Sequence, residues 1–145
     1  TYYMLYTGWA NILSGDGFLG QTAATSTDGI SWNKLDEGIF TEVATSTFET
    51  ATEADIVKGT DGLFYLFYSA EGGIALARSD HHLGPWELYP EMLISSELGW
   101  ESGEVVAPTA LIENGKAKIW YSGIVGNFGG GSIGYAEIDF PFEWD

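Results

Sequence analysis

The chain has 145 residues, 45% of them hydrophobic and 15% aromatic, with 20 glycines, four prolines and no cysteine. That length suits one ordinary domain with a real core, and the lack of cysteine excludes disulfides. A formal net charge of −16 argues against nucleic acid or anionic membrane as a partner, because both are polyanions, and no apolar run approaches the length of a membrane-spanning helix.

No window carries a sustained apolar period of 3.6, whereas glycine-punctuated aromatic runs are frequent, so short strands are expected throughout. The chain opens at Thr1 inside a strand-like run with no signal-peptide pattern, as a piece of a longer polypeptide would. Residues 2–7 predict a strand and residues 21–26 its neighbour. Ser26-Thr-Asp28-Gly29-Ile-Ser-Trp32 then makes a tight turn into a third. Residues 36–51, rich in Thr and Glu, read as a connection. The stretch 52–86 predicts a complete four-stranded antiparallel meander, with strands at 52–58, 63–70 and 74–79 and a short fourth at Trp86. Asp61-Gly62 is placed for a two-residue type I′ hairpin turn, which needs φ > 0. After a second connection over 87–103, strands are expected at 104–112, 116–122 and 132–138 and near Trp144, with Asn114-Gly115 as another type I′ turn.

These runs repeat. Phe64-Tyr-Leu-Phe-Tyr68-Ser69-Ala70 returns as Ala117-Lys-Ile-Trp-Tyr121-Ser122-Gly123, 53 positions later, and Tyr2-Tyr-Met-Leu-Tyr6-Thr7-Gly8 is the same strand near the start. Ala75-Leu-Ala-Arg-Ser79 echoes Thr22-Ala-Ala-Thr-Ser26 at the same step, with Gly134-Tyr-Ala-Glu137 as the third version. Each leads through a polar turn to Trp32, Trp86 or Trp144, a recurrence that favours core packing for these indoles. Such periodicity signals radially stacked sheets, a β-propeller. Units are expected at 1–35, 52–88 and 104–145. The first lacks its opening strand, so the chain holds about 2.75 four-stranded blades. In an up-and-down meander the 1–2 and 3–4 turns share one end. The variable 2–3 turns and the inter-unit connections share the other, and variable loops tend to carry function.

The phrases Tyr2-Tyr-Met-Leu-Tyr-Thr-Gly8, Ala24-Thr-Ser-Thr-Asp-Gly-Ile-Ser-Trp32, Ala77-Arg-Ser-Asp80, Leu83-Gly-Pro-Trp86 and Val106-Ala-Pro-Thr-Ala-Leu-Ile-Glu-Asn-Gly115 resemble the five-bladed propeller glycoside hydrolases. That group comprises the family-43 arabinanases and xylosidases, the invertases and levansucrases, and the related mannoside phosphorylases. The resemblance covers nearly the whole chain and rests on blade phrases. It implies catalytic carboxylates at the starts of inner strands, on the end with variable loops, and a carbohydrate substrate cleaved by an acid and a base or nucleophile. Glu53-Ala54-Asp55 resembles the family's acidic strand starts, so Asp55, Glu53 and Glu104 are the catalytic candidates, with Glu101 behind them. Val106 stands where the family carries an acid, a departure that admits a non-catalytic carbohydrate-binding or scaffolding relative.

Trp9, Trp100 and Phe128, with Phe18, fall in the loops of that end. They suit either stacking on sugar rings or packing between blades. Asp28 and Asp80 resemble turn-bracing aspartates of sialidase-type repeats, but Arg78 is the only arginine, which excludes a sialidase arginine cluster. His81 and His82 are expected in an exposed turn. Asp16 lacks the ligand spacing of a calcium loop, so calcium is not indicated and no metal or other cofactor is assigned. A ring this incomplete exposes blade faces, which implies either the remainder of a longer propeller or a homo-oligomer.

Overall fold

The computed structural model describes residues 1–10, 18–35, 51–97, 99–126 and 131–144. Within them the protein is all-β, with three antiparallel sheets and one 3-10 turn at Gly99–Glu101. The first sheet runs β1 (Tyr2–Ala10), β2 (Phe18–Ser26), β3 (Asn33–Lys34). The second runs β4 (Thr52–Lys58), β5 (Phe64–Ala70), β6 (Gly73–Ser79), β7 (Glu87–Leu88), and β8 (Ile94–Ser95) pairs with the opposite end of β6. The third runs β9 (Glu104–Glu113), β10 (Lys116–Ile124), β11 (Gly131–Asp139). Sheets that stack in chain order, each an up-and-down meander, make a partial β-propeller. No helix among the described residues is long and apolar enough to cross a membrane.

The middle sheet is the core because it is covered on both faces. Side chains alternate along β5. Leu66, Tyr68 and Ala70 face the first sheet and join Leu5, while Tyr65 and Phe67 face the third and join Ile112, Ala117 and Ile119. That two-sided burial is why β5 reads as an unbroken apolar run. Each such large side chain contributes roughly 1.5–3 kcal/mol on burial.

Local rules set the hairpins. Asn114 (φ 54°) and Gly115 (φ 73°) form the expected type I′ turn between β9 and β10. The turn at Asp61-Gly62 differs: only Gly62 has positive φ, and the loop closes by Gly59 N–H donating to Leu63 O at 2.8 Å. Asp61 caps it, accepting from Leu63 N–H at 3.1 Å and the Tyr65 hydroxyl at 2.6 Å. A side chain that fixes its own loop needs no two-residue turn.

The fourth strand expected at Trp144 does not form. Past β11 the chain folds back, with Phe140 N–H donating to Gly115 O at 3.0 Å. Phe142 packs 5.4 Å from Tyr65, and Trp144 packs 4.9 Å from Tyr89 and 4.2 Å under the Arg78 guanidinium. Pro141 cannot donate to a ladder, and Phe140, Phe142 and Trp144 instead join the apolar cluster of Tyr65 and Phe67 on the second sheet. Trp86 is buried as expected, whereas Trp32 and Trp144 are only half-buried.

Candidate functional site

Two inner strands, β4 and β9, begin with a kink. Glu53 (φ 50°) and Ala107 (φ 53°) lie in the left-handed region, which costs a residue with a Cβ about 1–2 kcal/mol. At both places the ladder slips, between Thr52 and Asp55 against β5 and opposite Trp120 and Ser122 on β10. A strained bulge persists when its surroundings over-determine it.

Here a hydroxyl of the preceding sheet holds each one. Thr7 Oγ1 accepts from Glu53 N–H at 2.9 Å, and Ser69 Oγ accepts from Ala107 N–H at 2.8 Å. The Ser69 proton then goes to the carboxylate, donating to Glu53 Oε2 at 2.9 Å. Gln21 is buried and turns its amide oxygen toward the N–H groups of Glu53 at 2.9 Å and Ala54 at 3.2 Å. The side chain and backbone of Glu53 are therefore fixed by residues of two sheets.

Glu53 borders an open cleft of about 800 Å³ at the strand ends, within the usual size range of ligand pockets. Its walls include Thr7, Ser69, the Glu71-Gly72-Gly73 turn, Ser96, the start of β9 from Glu104 to Val106, and Ile124. Among the described residues three carboxylates (Glu53, Glu71 and Glu104) line it and no lysine or arginine does. Such a wall repels anions and offers acceptors to hydroxyl groups. No group of three or more His, Asp or Glu with the arrangement of a metal site occurs among the described residues.

The structure thus brings Glu53 and Glu104 to one cleft, on neighbouring inner strands. Asp55 is elsewhere: its Oδ2 accepts from Thr109 Oγ1 and Ala110 N–H, both at 2.9 Å, and ties β4 to β9. Glu101 is buried, accepting from the Tyr121 hydroxyl at 2.7 Å and Glu97 N–H at 3.3 Å. Burial first, and then that bond to Glu101, pushes the Tyr121 hydroxyl up to about 12. Trp100 lies parallel to Tyr121, centroids 6.1 Å apart and planes at 15°, over Gly123, where a Cβ would collide with the indole. Trp9 sits on β1 opposite Leu19. Phe18 opens β2. Phe128 and Asp16 lie outside the described residues.

Asp28 lies at the far end of the first sheet, where Ile30 and Ser31 N–H groups, then the Ser26 hydroxyl, draw its carboxyl down to about 2. His82, expected to be exposed, is half-buried between the first two sheets, 4.1 Å from Tyr3. Sequence reading missed Thr7, Ser69 and Gln21. Two of them carried a signal, a hydroxyl residue directly after the repeated tyrosine.

Neither a family model nor a curated relative matches this sequence. Solved structures do. A BT0996–RGII complex superposes with a TM-score of 0.73 at 16% identity, covering 93% of this chain and 40% of that one. A thermostable family-43 glycoside hydrolase gives 0.66 at 21% identity, covering 96% and 47%. A Bombyx mori GH32 β-fructofuranosidase, in mutant form with sucrose, gives 0.65 at 19%, covering 97% and 32%. The chain shares its fold with these propellers and spans less than half of each.

Proposed function

We propose that the cleft binds a neutral oligosaccharide or polysaccharide, as part of a glycosidase-type propeller. The observation that supports this most is Glu53: a carboxylate on a strained inner-strand bulge, fixed by Thr7, Ser69 and Gln21, beside a cleft lined by no cation among the described residues. Its fixed Oε2 accepts a hydrogen bond from the Ser69 hydroxyl, and sugar hydroxyl groups are donors for the remaining acceptor capacity. In this reading Glu53 and Glu104 act as the acid and the base or nucleophile of a furanosidase- or xylosidase-like hydrolysis. Asp55 serves by holding β4 against β9. The family-43 and sucrose-bound structures that share the fold are in keeping with a carbohydrate ligand.

One observation favours a second reading, a non-catalytic carbohydrate-binding or scaffolding unit. It would assemble with other copies or with the rest of a longer propeller. The bulge on β9 that matches Glu53 carries only the methyl group of Ala107, so one inner strand offers no carboxylate at that place.

Hydrolysis of a panel of aryl furanosides and pyranosides, beside binding of the matching oligosaccharides, separates the two. The catalytic reading expects turnover that Glu53→Gln lowers at least 100-fold while binding persists. Binding without turnover leaves the second reading, and neither binding nor turnover sinks both.

A further inference from the structure

Three side chains on one face of β1 tie the first sheet to the second. Tyr3, Leu5 and Thr7 alternate with Tyr2 and Met4, which are exposed on the other face. Tyr3 meets the His82 ring at 4.1 Å, Leu5 joins the apolar cluster of Leu66 and Tyr68, and Thr7 Oγ1 accepts from Glu53 N–H at 2.9 Å. Gln21, which pairs with Thr7 across the first sheet, adds its hold on the N–H groups of Glu53 and Ala54. One strand therefore joins His82 at one end to the cradle of Glu53 at the other, about 13 Å away at roughly 3.3 Å per residue.

This joint is the thinner of the two. Among the described residues Leu5 is the first sheet's one contribution to the apolar clusters. The third sheet supplies Val105, Ile112, Ala117, Ile119 and Tyr121 to the joint on the other side. The joint with less apolar contact is the one that opens locally.

His82 sits at its end with nothing to receive a proton. Its Nε2 is buried and has no hydrogen-bond partner among the described residues. Around the ring stand Tyr3 of β1, Phe64 of β5 at 5.7 Å and, on its own turn, His81 with centroids 4.2 Å apart. Lys58 of β4 lies over the same Phe64 ring at 5.3 Å. Neither histidine forms a salt bridge among the described residues. Asp80 beside them is exposed, and Asp28, at the same end of the first sheet, is bound within its own turn. In a chain with 21 acidic residues, this imidazole has rings and cations for neighbours. The rings attract a cation weakly, whereas lost hydration and His81 oppose one. Burial first, and then His81, hold the His82 imidazole below its ordinary 6.5.

We infer that the joint between the first two sheets is a proton-operated latch on the cleft. With His82 neutral the first sheet is docked, and Thr7 and Gln21 hold Glu53; protonation of His82 in mildly acidic solution undocks it and releases that hold. Docking is full above the ordinary histidine value of 6.5 and weakens as pH falls below it. Tyr3 is already partly in water, so a small separation of the sheets wets the imidazole. The element with two arrangements is β1, and both His82 and Glu53 touch it. The inference rests on the carbohydrate reading only in treating the cleft as a binding site, and its readout needs no sugar, so either can fail alone.

Amide hydrogen exchange of the whole chain from about pH 8 to about pH 5, corrected for the intrinsic effect of pH, tests it beside an NMR titration of both imidazoles. The Glu53 and Ala54 amides, whose acceptors lie on the first sheet, are expected to lose about threefold or more of their protection as His82 titrates. The Ala110 amide, bonded to Asp55 across the other joint, is expected to keep its protection. His82→Phe keeps a ring against Tyr3 without a proton site, and its Glu53 and Ala54 protection should not vary with pH. His81→Asn, at an exposed position, removes the repelling neighbour; it should raise the pH at which His82 titrates and shrink the loss. Wild-type protection at Glu53 and Ala54 that ignores pH overturns the latch. So does an equal loss at Ala110 or in His82→Phe, or a His82 that titrates at or above 6.5.

Discussion

Replacing Ser69 by alanine removes the hydroxyl that joins the two bulges. Ser69 is buried, accepts from Ala107 N–H at 2.8 Å and donates to Glu53 Oε2 at 2.9 Å. A hydrogen bond to a charged group contributes about 1.5–3 kcal/mol and a neutral one about 0.5–1.5 kcal/mol. Glu53 is exposed, so its carboxylate regains water when the serine is lost, and the larger figure falls toward its lower bound. The expected cost of Ser69→Ala is therefore about 2 kcal/mol, a fall in Tm of roughly 6–10 °C for a domain of this size. Thermal and urea unfolding followed by tryptophan fluorescence measure it. Ser122→Ala is the control, because Ser122 holds the same place on β10 and makes no side-chain hydrogen bond among the described residues; it should stay within about 0.5 kcal/mol of wild type. Ser69→Thr, which keeps the hydroxyl, should recover most of the loss. A Ser69→Ala protein as stable as wild type, or a Ser122→Ala protein equally weakened, would refute the bridging role.

Asp28→Asn should lower stability at pH 7. Because the folded carboxyl titrates near 2 against an ordinary 3.8, its contribution is present above about 4 and fades as pH falls toward 2, where the variant and wild-type melting curves should converge. His82 has its pKa lowered by burial and then by neighbouring His81, so the unfolded chain binds the proton more readily. Stability should therefore fall as pH drops below the ordinary histidine value of 6.5, and His82→Leu should flatten that part of the stability–pH profile. Ala107→Gly relieves a left-handed Cβ at φ 53° but loosens the unfolded chain, so chemical denaturation should find it neutral to about 1 kcal/mol more stable.

Much of the fold was legible because it rests on local rules. The unbroken apolar run of β5 reported a sheet buried on both sides, and Asn114-Gly115 reported its turn type. The step of 53 residues from Tyr68 to Tyr121 linked strands that the structure pairs alike. The failures came where one residue changes direction. A bulge at Glu53 turns its carboxylate into the cleft and leaves Asp55 aimed at Thr109, and period-two reasoning cannot see which of two nearby carboxylates a slipped register will choose. Pro141 was a written warning against a strand at Trp144. The stacking of Trp100 on Tyr121 depends on two segments 21 residues apart meeting over Gly123, a contact that strand patterns do not encode.

The most direct test of the site is amide chemical-shift mapping of the whole chain during titration with neutral arabino-, xylo- and fructo-oligosaccharides. The account expects saturable shifts at Thr7, Glu53, Gly72, Gly73 and Val105, with Asp28 and Gly115 at the opposite strand ends unmoved. Shifts confined to the opposite end, or none with any of the sugars, would contradict it.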